Sequence, residues 1–103
     1  MKIAIGCDPN AENEKQALMK FIENKGLGKV TDFGSTDPIY ANVAIKVGEA
    51  VASKEYDRGI LLCGTGLGVS IAANKVKGAY AALLTDAYSA EEARNENFLR
   101  RFF

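Results

Sequence analysis

The chain has 103 residues, enough for one domain with a sizeable core and too few for a second. Its 13 basic and 13 acidic residues cancel, so the charge balance points neither to nucleic acid nor to an anionic membrane as partner. There is no histidine, which removes the commonest general base and metal ligand, and two cysteines, Cys7 and Cys63, do not make a disulfide framework. No apolar run is long enough to span a bilayer, and Met1-Lys2-Ile3 leads into a strand instead of a signal peptide. Both cysteines fall at strand ends, which suits reduced thiols in a cytoplasmic protein. Neither a metal nor a cofactor is expected.

In chain order, residues 2–6 read as a short apolar strand and Cys7-Asp8-Pro9-Asn10 as the turn after it. Asn10 is placed to cap a helix running to about Lys25, with Ala17, Leu18, Phe21 and Ile22 along one face. Gly26 and Gly28 end it. Val30-Thr31-Asp32-Phe33 is a second strand closed by Gly34, and Ser35-Thr36-Asp37-Pro38 a loop whose proline suits the start of a helix. In that second helix Val43, Ala44, Val47, Ala50 and Val51 recur at helical spacing. Residues 60–62 form a third strand, 69–75 a third helix, 78–84 a fourth strand, and 89–94 a fourth helix.

The order β-α-β-α-β-α-β-α, with short connections, predicts a three-layer, Rossmann-like α/β fold. One parallel sheet carries right-handed crossovers and helices on both faces. Ligands of such sheets bind at the carboxyl ends of the strands, near the switch in strand order. Asp8, Ser35, Cys63 and Asp86 all follow strands and are expected on that edge.

The most informative stretch is the third strand together with the turn that leaves it. The strand stops at Cys63, glycines fall at alternate positions 64, 66 and 68, and a helix begins. Strand, glycine-rich turn and helix N-terminus make an anion site, because glycines admit a ligand close to the backbone and the first helical N–H groups point at it. The spacing is neither the G-x-G-x-x-G of dinucleotide folds nor a Walker loop, since Leu67-Gly68-Val69-Ser70 lacks the lysine. A turn that is glycine-rich only for packing is the bland alternative.

The run Cys63-Gly64-Thr65-Gly66-Leu67-Gly68-Val69-Ser70-Ile71-Ala72-Ala73-Asn74-Lys75-Val76 resembles the signature of the type B ribose-5-phosphate isomerases. Galactose-6-phosphate isomerase subunits and tetrulose-phosphate isomerases share that family. Met1-Lys2-Ile3-Ala4-Ile5-Gly6-Cys7-Asp8 resembles its opening strand and Tyr88-Ser89-Ala90 a later helix start. The resemblance covers residues 1 to about 97.

Aldose–ketose isomerisation moves a proton between neighbouring carbons through an enediolate, which needs a base, donors for the developing oxyanion and a hold on the phosphate. Cys63 is the candidate base, since a thiol beside a helix N-terminus is biased toward thiolate. The ordinary fate of a cysteine is to be a small buried apolar residue, and here the resemblance favours catalysis. It also implies a supporting role for Thr65. The backbone from Gly64 through Gly66, Gly68 and Val69 to Ser70 is the candidate donor set. The resemblance gives Asp8 a place on substrate hydroxyls, against its reading as a turn aspartate, and Asn97 a place near the substrate. Asn74 and Lys75 resemble the family's Asn-Lys pair, though Lys75 also reads as a solvated helix-end charge. Cys7 reads as core.

Several positions depart from the family pattern. Pro9 stands where type B isomerases carry a histidine after the aspartate, and Glu96 where they carry the histidine credited with ring opening. The loop at 35–38 is shorter, and Asp37 replaces a tyrosine before Pro38. The chain runs out at Leu99-Arg100-Arg101-Phe102-Phe103, where the family continues into a fifth strand, a C-terminal helix and phosphate-clamping arginines. Residues 1–103 are therefore expected to form one domain lacking that strand and helix. The apolar tail and the family's shared active sites imply a homodimer. Three readings stay open: an isomerase of a phosphorylated sugar, a module that binds such a sugar without turnover, and a non-catalytic subunit.

Overall fold

The computed structural model describes residues 1–34, 37–64 and 67–84. Its first strand, β1 (Lys2–Cys7), alternates large and small residues. Because side chains of a strand point to opposite faces in turn, Ile3, Ile5 and Cys7 share one face and Ala4 and Gly6 the other. The small face admits a helix closely. Ala4 packs with Val43, Val47 and Ala50 of α2 (Tyr40–Ala52), and a Cβ on Gly6 would lie 2.5 Å from Val43 Cγ2. The large face takes α1 (Glu12–Asn24), which lies against β1 and β2 (Lys29–Asp32). Of the larger side chains, Ile5, Val47, Val69 and Cys7 are fully buried. Each aliphatic one stabilises the fold by about 1.5–3 kcal/mol relative to exposure.

The three strands are parallel and ordered β2-β1-β3, with β3 spanning Arg58–Leu62. Ile5 is opposite Asp32 on one side and Ile60 on the other, and Cys7 is opposite Leu62. At the amino edge, the Lys2 amide donates to the Asp57 carboxylate at 2.7 Å and the Asp57 amide returns a bond to the Lys2 carbonyl at 2.8 Å. With right-handed crossovers, α1 covers one face while α2 and α3 (Leu67–Asn74) lie together on the other. This is the expected three-layer α/β architecture, and all five apolar positions predicted for the second helix are buried.

Three expectations are corrected. Residues 78–84 do not form a regular strand: Gly78 turns the chain and Tyr80 makes only an isolated bridge. The cap after β1 is Asp8 and not Asn10, because a three-residue 3-10 turn, Pro9–Ala11, precedes α1 and the Asp8 side chain accepts its Asn10 N–H. The buried face of α1 also differs from the expected one. Lys15 and Ile22 are buried and Leu18 and Met19 half-buried, whereas Ala17 and Phe21 face solvent. The predicted fourth helix lies outside the described residues.

Candidate active site

In a β2-β1-β3 sheet the chain leaves β1 for a helix on one face and β3 for a helix on the other. A crevice therefore opens between the carboxyl ends of β1 and β3. Asp8 and Cys63 stand at its two lips. The Asp8 amide donates to the Leu62 carbonyl at 3.1 Å, extending the β1–β3 ladder one step past the strands and holding the two residues side by side. Oδ1 of Asp8 accepts the Asn10 N–H at 2.9 Å, so this carboxylate organises the turn on which it sits. Cys63 is half-buried, Cys7 is fully buried, and neither is in a disulfide.

Beyond Cys63 the backbone enters α3. A Cβ on Gly64 would meet nothing within 4 Å, so packing does not demand glycine there. Gly68 is the opposite case: its Cβ would fall 2.7 Å from Cε1 and Cζ of Tyr40. Val69 is 2 % exposed, so its side chain belongs to the core and only its amide can face a ligand. Ser70 is half-buried. The amides at the start of any α-helix lie ahead of its internal ladder and carry the positive end of its dipole. Asp8, Cys63, Gly64, Gly68, Val69 and Ser70 are thus brought to one edge. Thr65, Gly66 and Asn97 lie outside the described residues, as do Ser35, Asp86 and Glu96.

Two features are not evident from the sequence. The first is a polar cluster below the β1–β2 lip. The Lys15 ammonium, 1 % exposed, is 2.8 Å from Asp32 Oδ1 and 3.0 Å from Glu12 Oε2. Cys7 Sγ lies 4.0 Å from the same Glu12 oxygen, so a residue that reads as plain core borders this cluster. Burial opposes the Lys15 charge, but the bonds to Asp32 and Glu12 outweigh it and raise the lysine above its ordinary value. Burial pushes the Cys7 thiol up, only partly offset by Lys15. The available signal is Glu12 three residues before Lys15, with Lys15, Leu18, Met19 and Ile22 at inward helical spacing.

The second is Asn74. Its Nδ2 donates to the Ser70 and Ala81 carbonyls at 3.0 and 2.9 Å, while its Oδ1 accepts the Ala81 amide at 2.8 Å. It staples the end of α3 to the segment after Gly78. Lys75 is exposed.

This is a doubly wound α/β domain with a carboxylate and a thiol flanking its switch point, the edge at which sheets of this class bind their ligands. Similarity to known proteins places it more closely: the chain belongs to the ribose/galactose isomerase family, whose model matches residues 3–100. It is 48 % identical over 100 residues to ribose-5-P isomerase B of Listeria innocua, covering 94 % of this chain and 67 % of that protein. It is 44 % identical over 101 residues to D-erythrulose-4-phosphate isomerase of Pectobacterium atrosepticum, covering 94 % and 66 %. Ribose-5-phosphate isomerase B of Clostridium thermocellum superposes with a TM-score of 0.87 at 46 % identity, over 95 % of this chain and 68 % of the other. The chain spans about two thirds of the length of these relatives. Among the described residues no helix is long and apolar enough to cross a membrane.

Proposed function

We propose that the chain carries the chemistry of an aldose–ketose isomerase acting on a phosphorylated sugar through an enediolate. The observation behind this reading is the bond from the Asp8 amide to the Leu62 carbonyl, which brings Asp8 alongside the strand end that leads into Cys63. Cys63 is the base that takes the proton from the carbon next to the carbonyl. The α3 amides receive the developing negative oxygen, Asp8 orients substrate hydroxyls, and Thr65 and Asn97 complete the set. The names of the relatives, which include isomerases of ribose 5-phosphate and of D-erythrulose 4-phosphate, support the substrate class. The test is an isomerase assay across phosphorylated tetroses, pentoses and hexoses, with Cys63→Ala beside the native chain. Turnover that survives loss of the thiol would overturn the assignment of the base.

One observation favours binding without turnover as the second reading. Pro9, exposed at the start of the 3-10 turn, occupies the position where the family pattern carries a histidine. Saturable sugar-phosphate binding with no product would select it. The family reading, with the apolar tail, favours a two-fold homodimer, and the two cysteines read as reduced thiols favour the cytoplasm. A strictly monomeric mass in sedimentation at high micromolar concentration would refute the dimer.

A further inference from the structure

Tyr40 opens α2, Gly68 is the second residue of α3, and the two touch. A Cβ on Gly68 would lie 2.7 Å from Cε1 and Cζ of the Tyr40 ring and 2.8 Å from its hydroxyl oxygen. The hydroxyl end of the ring therefore rests on the first turn of α3. Both helices follow strands of a parallel sheet, so both begin on its carboxyl side, where the Asp8–Cys63 crevice opens. Tyr40 is 44 % exposed, leaving its outward side open.

The backbone that carries it is fixed from both sides. Asp37 Oδ1 accepts the Ile39 N–H at 2.9 Å and Oδ2 accepts Nδ2 of Asn42, also at 2.9 Å. One carboxylate thus ties the residue before Tyr40 to the one two places after it. The buried face of α2 is carried by Val43, Ala44, Val47, Ala50 and Val51, and Tyr40 lies off it, with its ring against Gly68 of α3.

We propose that Tyr40 is a substrate-binding residue whose hydroxyl donates a hydrogen bond to an anionic oxygen of the phosphorylated sugar held at the start of α3. The inference rests on the isomerase reading of that site and adds a donor to it. An oxygen bound by amides of the first turn sits about 3 Å from their nitrogens. The Tyr40 hydroxyl oxygen, 2.8 Å from where a Gly68 Cβ would be, lies against that same turn. A phenol is a neutral donor, so it adds a bond without bringing in a charge that must be desolvated. The contact also explains the glycine: any side chain at 68 would push the phenol off the ligand.

The experiment compares the native chain with Tyr40→Phe, which keeps the ring on Gly68 and removes only the donor. The expected result is a fall in kcat/KM of about tenfold or more on the best sugar phosphate, the worth of one hydrogen bond to a charged group. The urea midpoint should not move. Wild-type kcat/KM in Tyr40→Phe would overturn the proposal. Calorimetric titration with ribose 5-phosphate separates this inference from the isomerase reading. If the native chain binds without turning over, the isomerase reading fails. The Tyr40 contact then stands on weaker binding by Tyr40→Phe and falls on equal binding. A native chain that does not bind overturns both.

Discussion

Lys15 and Asp32 form an ion pair across the α1–β2 interface, 2.8 Å apart, in which the lysine is almost wholly buried and the aspartate one third exposed. That asymmetry predicts unequal costs. Lys15→Met leaves a carboxylate that still accepts the Gly34 amide at 2.8 Å and can take up water. The expected loss is about 1–2 kcal/mol. Asp32→Asn leaves a buried ammonium with only Glu12 opposite it, and the loss should be about 3 kcal/mol or more. Urea unfolding of the two variants measures both. Equal losses, or the reverse order, would refute the picture of a charge that burial makes dependent on its partner.

The same cluster predicts the alkaline limb of stability. Lys15 has its folded value raised above the ordinary 10.5, so its contribution is complete below about pH 10.5 and is lost as pH climbs through the folded value. The stability difference between the native chain and Lys15→Met should therefore be flat at neutral pH and shrink above pH 10.5. At the acid end the sign is opposite. The Asn42 bond, then the Ile39 amide, lowers Asp37 below its ordinary 3.8, so its contribution is present above that value and fades as pH falls. Asn42→Ala should make the start of α2 open at higher pH on acidification, read by hydrogen exchange of the amides near Tyr40.

Sequence periodicity and glycine punctuation suffice for the layers, the parallel sheet and the edge that carries Asp8 and Cys63. They work because β1, α2 and β3 pack by patterned burial, which is written locally. What is not legible depends on tertiary partners. Lys15 reads as a solvated charge until Asp32 arrives from β2. The inward face of α1 differs from its apolar pattern because Lys15 turns inward to meet Asp32 of β2, while Phe21 is left exposed. Residues 78–84 have strand composition, but Gly78 and the Asn74 staple hold this segment as irregular chain. At the site, the glycine spacing puts the helix start at 69, whereas α3 begins at Leu67 and takes in Gly68, and it gives no sign that Gly68 is fixed by Tyr40, which stands in a different helix.

That contact is itself testable by a double-mutant cycle. Gly68→Ala places a methyl inside the Tyr40 ring contact and should destabilise by about 1–3 kcal/mol, the usual cost of overpacking. In a Tyr40→Ala background the space exists, and the same alanine should be neutral or mildly stabilising, since it favours helix over glycine. Additive losses in the cycle would mean that the two residues are not in contact.

The last prediction concerns substrate size. Pentose 5-phosphates and hexose 6-phosphates rest mainly as closed rings, so an isomerase must open the ring before it can form an enediolate. A tetrose 4-phosphate carries its phosphate on the oxygen that would close a five-membered ring, and it stays open. The chain has no histidine, with Pro9 and Glu96 at the two positions where the family pattern places one. A carboxylate at 96 is a poor proton donor at neutral pH, so ring opening is the step this chain is least equipped to assist. Under the proposed mechanism the enediolate step asks only for the thiol of Cys63 and the amides at the start of α3. The expected outcome is a kcat/KM for a tetrose 4-phosphate at least about tenfold above that for ribose 5-phosphate, about 1.4 kcal/mol of barrier. Both activities should be lost in Cys63→Ala. Supplying Glu96→His should raise turnover of ribose 5-phosphate and leave the tetrose reaction unchanged. Efficient use of ribose 5-phosphate by the native chain would show that ring opening is assisted by some other group, and would overturn this account of specificity.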